Sequence, residues 1–203
     1  MDRKHNRLAS RAVWQISLAS VLLFWGTPML VAQEKPTLSP QQVEAAENYI
    51  KEAEAKQTPQ QRKEAQEIAN FRLSTESLEK MSKAVQAFNA LGDSNPELKD
   101  ACEPPNSEDR QNQTVQETVS CIEKHPPAVS ALRSAGMTPR EFVLTTYAVM
   151  LNSFGLTYKQ MGVKRLFPGA SEANMNFIET HQEAIKKLTP PDQQKSSSPP
   201  DDH

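Results

Sequence analysis

Asn174 and His181 are polar residues at positions where a C-terminal helix should carry apolar ones. They belong to a series with helical steps of four and three residues, formed by Asn174, Ile178, His181, Ile185 and Leu188. A polar side chain on a buried helix face is unfavourable unless it is hydrogen-bonded. The first interpretation is therefore structural: both side chains bond to a loop backbone or to Thr145, Thr146 or Tyr147, and so fix how the helix docks.

The second interpretation is a ligand groove between this helix and the preceding one. Its tentative members are Tyr147, Asn174, His181 and His125, the last of which precedes two prolines where the chain turns. A zinc or iron site needs three or four converging ligands. The histidines after residue 32 show no HxxxH, HxH or ExxH spacing. We therefore predict no metal and no cofactor.

No catalytic signature accompanies these residues. The chain lacks a Gly-x-Ser-x-Gly nucleophile elbow and a glycine loop that would cradle phosphate. It also lacks the C-x-x-C-H sequence of covalent haem attachment. We therefore expect no catalytic residues and a protein that is not an enzyme.

The two cysteines, Cys102 and Cys121, are predicted to form a structural disulfide. Their separation does not fit a C-x-x-C redox motif, and a metal pair would need further ligands. Closing a loop of about 20 residues stabilises a fold by roughly 3 kcal/mol in the chain-entropy model. This prediction requires an oxidising compartment outside the cytosol.

The N-terminus supplies the matching export signal. Four basic residues among the first 11 precede an uncharged run from Ala12 to Ala32, which is typical of a secretory signal peptide over 1–32 cleaved after Ala32. The run is also long enough for an uncleaved membrane anchor, which stays the alternative. We expect a periplasmic or secreted protein.

The charge left after cleavage bears on the partner. The full chain has 23 Lys and Arg and 25 Asp and Glu; removing four basic residues and one acid leaves 19 and 24, a net charge of −5. Nucleic acid and anionic membranes both bind clustered positive charge. We therefore expect neither as a partner beyond the signal segment itself, but an envelope protein or a small ligand.

Helices joined by proline-marked loops should position these residues. With 15 Pro, 6 Gly and no alternating strand pattern, the chain is predicted to be all-α. Residues 33–71 form a polar helical arm starting at Ser39-Pro40 and restarting at Thr58-Pro59. Residues 72–188 form a four- to five-helix bundle, and 189–203 a disordered tail. Within the bundle, the first helix is predicted to be capped at Ser74 or Thr75 and to end at Gly92. Further helices are predicted over 109–124, from Pro126, from Pro139 and from Glu172 to Leu188.

The central element follows a capping box. Thr138 caps a helix, Pro139 fits its first turn, and Glu141 reaches back to the cap. The uncharged helix that follows is apolar on nearly all sides, which predicts burial in a core. Its dense part, Phe142 to Leu151, is shorter than the roughly 20 residues a bilayer needs. A connection is expected over 155–170.

Two segments, "GMTPREFVLTTYAVM" and "ANMNFIETHQEAI", resemble a pair of motifs in small exported helical proteins of environmental bacteria. The matching positions are Gly136, Thr138, Glu141, Phe142, Asn174, Phe177 and His181. The resemblance covers Leu73 to Leu188 and implies an exported bacterial helical domain without implying an activity.

Together these observations predict an exported, non-enzymatic binding or structural protein of the bacterial cell envelope. The alternative is a periplasmic small-ligand or metal carrier that uses His125 and His181.

Overall fold

The secondary structure is entirely helical in the part of the chain described by the computed structural model, which comprises residues 37–95, 101–102 and 113–188. The predicted signal segment and tail lie outside this part. Eight helices and no strand occur in it, and all eight belong to one compact unit. They are α1 (Pro40–Lys56), α2 (Pro59–Asn70), α3 (Thr75–Ser94), α4 (Val115–Glu123), α5 (Pro126–Ser134), α6 (Pro139–Gln160), α7 (Glu172–Thr180) and α8 (Gln182–Lys186).

Most helix starts are set by local capping boxes. In each box a Ser or Thr side chain accepts the N–H of the third helical residue, whose own side chain accepts the N–H of the cap. The pairs are Ser39 and Gln42, Thr58 and Gln61, Ser74 and Ser77, Thr114 and Glu117, and Thr138 and Glu141. The predicted starts of α1, α2, α3 and α6 are confirmed.

The predicted start of α4 was wrong. We expected the helix to begin at residue 109, but it begins at Val115, after the capping box of Thr114 and Glu117. This box has the S/T-x-x-E pattern that was recognised at Thr138, so the sequence contains the signal.

The predicted end of α3 at Gly92 was also wrong, because the helix continues to Ser94. The Ser94 hydroxyl donates to the Ala90 and Leu91 carbonyls at 3.0 Å each, and the Asn95 N–H donates to Leu91 at 2.8 Å. These bonds satisfy carbonyls at the helix terminus without a glycine in the left-handed conformation.

Helix α6 is the centre of the unit and contacts α2, α3, α4, α5 and α7. Its buried residues are Val143, Leu144, Thr145, Ala148, Asn152, Gly155 and Leu156. The prediction of a core helix is confirmed, although Met150 is 40% exposed, so its burial is not complete on all sides. No helix in the described ranges combines the length and apolar composition needed to cross a bilayer.

The predicted connection over 155–170 was wrong at its start, because α6 runs through Gly155 to Gln160. A Cβ built on Gly155 would lie 2.9 Å from Met175 Sδ in α7, closer than real Cβ atoms approach other heavy atoms. Gly155 therefore allows α6 and α7 to pack closely instead of ending the helix.

The predicted C-terminal helix is divided at His181. Helix α7 ends at Thr180, His181 has φ −121° and ψ 29°, and the five-residue α8 follows. The Thr180 hydroxyl donates to the Asn176 and Phe177 carbonyls at 3.1 and 3.0 Å. Such local side-chain bonds compete with helix continuation. Consequently His181 does not share one continuous stripe with Ile185.

The N-terminal arm docks on the other helices. Ile50 and Ile68 are buried, and so is the carboxylate of Glu64 in α2. Glu64 accepts the backbone N–H groups of Val115 at 2.8 Å and of Gln116 at 3.3 Å. The N–H groups of a helix's first turn have no partner within the helix. Glu64 supplies one, so a residue of the arm caps α4 although it lies about 50 residues earlier in the chain.

Polar bonds along the surface join the arm to later segments. The Arg140 guanidinium at the start of α6 donates to both carboxylate oxygens of Glu67, at 2.6 to 3.0 Å. Glu54 accepts from Arg165 at 2.6 Å, and Glu47 accepts the Lys164 N–H at 2.9 Å. These exposed contacts orient the arm and contribute little stability individually.

Two buried asparagines hold the connections beside α6 and α7. Asn174 is 1% exposed; its Oδ1 accepts the Leu73 N–H at 3.1 Å, and its Nδ2 donates to the Phe71 carbonyl at 2.7 Å. Asn152 Oδ1 accepts the Ser171 N–H at 2.7 Å. The structural interpretation of Asn174, bonding to a loop backbone, is confirmed.

Replacing Asn174 with Ala should lower the free energy of unfolding by about 1–3 kcal/mol, because the buried Leu73 N–H and the partly buried Phe71 carbonyl lose their partner. Urea unfolding of the purified protein measures this value. The control is Asn176→Ala, an exposed position in the same helix, which should change stability by less than about 0.5 kcal/mol. Equal effects of the two substitutions would contradict a stabilising role for the bonds from Asn174 to Phe71 and Leu73.

Candidate functional site

The residues of the predicted groove lie on different elements: Tyr147 on α6, Asn174 on α7, His181 between α7 and α8, and His125 between α4 and α5. Both polar atoms of the Asn174 amide bond to the backbone of Phe71 and Leu73, and the residue is 1% exposed, so a ligand cannot reach it. Tyr147 is half-buried and packs against the hydrophobic core. His125 lies beside the cysteines and His181 at the α7–α8 junction.

His181 is held locally. Its ring is stacked on Phe177, with ring centroids 4.0 Å apart. Nδ1 lies 2.8 Å from the Phe177 carbonyl oxygen and 2.9 Å from the Thr180 hydroxyl. A carbonyl oxygen can only accept, so Nδ1 carries the proton and, in the neutral ring, Nε2 does not. The structural interpretation expected a bond to a loop backbone or to Thr145, Thr146 or Tyr147. It was wrong for His181, whose bond goes to the backbone of α7.

The predicted disulfide is present. Cys102 and Cys121 are bonded, with Cα atoms 5.7 Å apart. Both Sγ atoms and a ring nitrogen of His125 lie within 4.8 Å of one another. Among the described residues this is the one group of three potential metal ligands that lie this close together, and His181 is not a member of it. The Cys-x-x-x-His spacing of Cys121 and His125 is the signal that the sequence analysis missed.

A surface cleft lies between the N-terminal turns of α3 and α6. Its volume is about 200 Å³. The connection from α2 to α3 forms one wall, and the start of α6 forms another. The lining residues are Phe71, Arg72, Ser74, Glu76, Ser77, Lys80, Met137, Glu141 and Thr145. A space of this size accommodates one or two side chains of a bound segment or a very small ligand.

The charged groups of the cleft are mostly matched. Lys80 pairs with Glu76 at 2.6 Å, and this bond lowers the pKa of Glu76 and raises the pKa of Lys80. Hydrogen bonds from Thr138 lower the pKa of Glu141; the bond from its backbone N–H has the larger effect and the bond from its hydroxyl the smaller. Both acids are therefore ionised at neutral pH. Arg72 is exposed and forms no salt bridge with any described residue.

The lining of the cleft thus combines the apolar side chains of Phe71 and Met137 with hydroxyls and a guanidinium. These groups can bind a polar segment that carries a carboxylate, because a guanidinium recognises carboxylates through paired hydrogen bonds. Sequence reasoning missed this site because only tertiary packing joins residues near 72, 80 and 141. The polar series Ser74, Ser77 and Lys80, at steps of three, was its one local signal.

Comparison of the chain with models of known protein families, with curated proteins and with solved structures finds no match.

Glu141→Gln tests the charge at the cleft. Because its folded-state pKa is lowered, Glu141 contributes stability above its unfolded pKa, and that contribution is lost as pH falls through the folded value. Gln preserves the capping box, as Gln42 and Gln61 do elsewhere in this chain. We expect the wild type to be more stable than Glu141→Gln at pH 7 and the difference to vanish at low pH. Melting temperatures measured across this range check it; a difference independent of pH would contradict it.

Proposed function

We propose that this chain is an exported, non-enzymatic binding module of the bacterial cell envelope, periplasmic or secreted. In this proposal residues 1–32 are a cleaved signal, 33–71 an arm, 72–188 a four- to five-helix bundle, and 189–203 a disordered tail. The basic and uncharged N-terminal pattern supports export. So does the Cys102–Cys121 disulfide, since such bonds persist in oxidising compartments. The resemblance to small exported helical proteins agrees with it.

The observation that carries the binding proposal is the cleft between α3 and α6. Arg72 lies at the cleft without a salt bridge to another described residue, whereas Lys80 is paired with Glu76. A solvated guanidinium beside half-buried Phe71 is suited to an acidic side chain of a partner, with apolar contact beneath it. We therefore propose that a partner protein inserts a short segment carrying a carboxylate here.

Export has a direct test in the mass of the protein recovered from the cell envelope or medium. We expect a chain that begins at Gln33 and lacks two hydrogen atoms relative to the dithiol form, because Cys102 and Cys121 are bonded. Intact-mass spectrometry before and after reduction measures both. A chain that retains its first 32 residues would support the anchor and contradict the cleaved signal.

Binding at the cleft has a test in site-specific photocrosslinking. A photoreactive residue at Ser77 should join the protein to a partner in intact cells. The control position is Gln86, exposed on the opposite face of the same helix at about 3.6 residues per turn. Arg72→Glu should reduce the Ser77 product about tenfold, the equivalent of one charge-assisted hydrogen bond. The matched reversal Arg133→Glu, on α5, should not. The same products from Ser77 and Gln86, or no product at Ser77, would contradict this binding surface.

A further inference from the structure

His125 is fixed beside the disulfide by the turn between α4 and α5. Its N–H donates to the Ile122 carbonyl at 3.0 Å, and its own carbonyl accepts the N–H groups of Ala128 and Val129 at 2.9 and 3.1 Å. The side chain does not cap the helix that it begins. Its backbone is therefore held while its imidazole is directed to the cysteines.

The two cysteines are also anchored. Cys121 belongs to the last turn of α4. The Cys102 carbonyl accepts the Gln113 side-chain amide at 3.3 Å, close to the start of the same helix. All three residues are half-buried, so the cluster is partly shielded and still reachable from solvent.

The distances fit a metal ion once the sulfurs separate. A metal that binds two thiolates at about 2.3 Å keeps the sulfur atoms roughly 4 Å apart. The three ligand atoms already lie within 4.8 Å of one another. Opening the S–S bond therefore requires only that the sulfurs move apart, while the imidazole is already in reach.

We propose that reduced Cys102 and Cys121, together with His125, bind one Cu(I) ion. Thiolates are soft ligands that select Cu(I) among the common cations, and imidazole is an accepted companion ligand. Three donors complete a trigonal site for Cu(I), whereas structural zinc takes four. This site goes beyond the binding proposal and replaces the pairing of His125 with His181 by one of His125 with the two cysteines.

The disulfide must open before the ion binds. A thiolate of a dithiol reductant attacks one sulfur, the Cys102–Cys121 bond breaks, and a mixed disulfide forms. The unattacked cysteine leaves as a thiolate, and the second thiolate of the reductant then releases the cysteine held in the mixed disulfide. The reductant leaves as its own disulfide, having supplied two electrons. Cu(I) binds the two cysteines as thiolates without change of oxidation state, and the protons of the reduced thiols go to solvent.

The experiment titrates the purified exported chain with Cu(I) held by a chromophoric chelator. The protein is first reduced by a phosphine, which is then removed without air. Reduced wild type should take one equivalent of Cu(I) from the chelator. The disulfide form should take none, with ascorbate present in both to maintain Cu(I).

Three variants make the test specific. His125→Ala retains both cysteines, so its affinity should fall at least about tenfold, the smallest loss seen on disturbing a metal's outer partners. His181→Ala is the matched control and should bind like wild type. Cys121→Ser should not compete with the chelator at all.

The result that would overturn the site is equal Cu(I) affinity of reduced wild type and His125→Ala, or no uptake by reduced wild type. A reduced protein that has lost its helical structure would also decide against the proposal. Circular dichroism of each reduced form is recorded in parallel. Bound Cu(I) should also slow alkylation of both cysteines by a maleimide, and unchanged alkylation would count against the ligand set.

Discussion

Polar groups that folding buries must find partners, and three of the buried side chains here find them in distant parts of the sequence. Asn174 in α7 bonds to backbone groups of the connection from α2 to α3. Asn152 in α6 accepts the backbone N–H of Ser171, the residue that caps α7. Glu64 in α2 satisfies the first N–H groups of α4. Among the described residues no buried side-chain nitrogen or oxygen lacks a partner. An unmade bond of this kind costs more than a made one contributes, so these contacts select a single arrangement of the helices.

This constraint links the interior to the cleft. Asn174 bonds to Phe71 and Leu73, the residues on either side of Arg72. The backbone around Arg72 is therefore fixed by the buried side chain of Asn174, which no ligand can reach. Asn174 was predicted both as a docking residue and as a groove residue. Its buried position favours the docking role, and through Phe71 and Leu73 it positions Arg72 at the proposed binding cleft.

The sequence predicts the beginnings of helices better than their ends. Capping boxes such as Thr138 with Glu141 are local, so their physics is contained in four residues. The passage of α6 through Gly155 depends on Met175 packing against it from another helix, which no local pattern contains. The same holds for the sites. The disulfide could be predicted because the chain has two cysteines and a predicted export signal, whereas the cleft joins segments that only tertiary packing brings together.

The disulfide and the proposed copper site use the same atoms, and this has a structural consequence. Either a covalent bond or a thiolate–metal–thiolate bridge joins Cys102 to Cys121, so both close the chain between these residues. Loop closure stabilises the folded state through the unfolded chain and does not depend on the chemistry of the link. His125 adds a third attachment in the metal form alone, at the turn that separates α4 from α5. Binding of the ion would therefore restore the constraint that reduction removes, and would extend it to the start of α5.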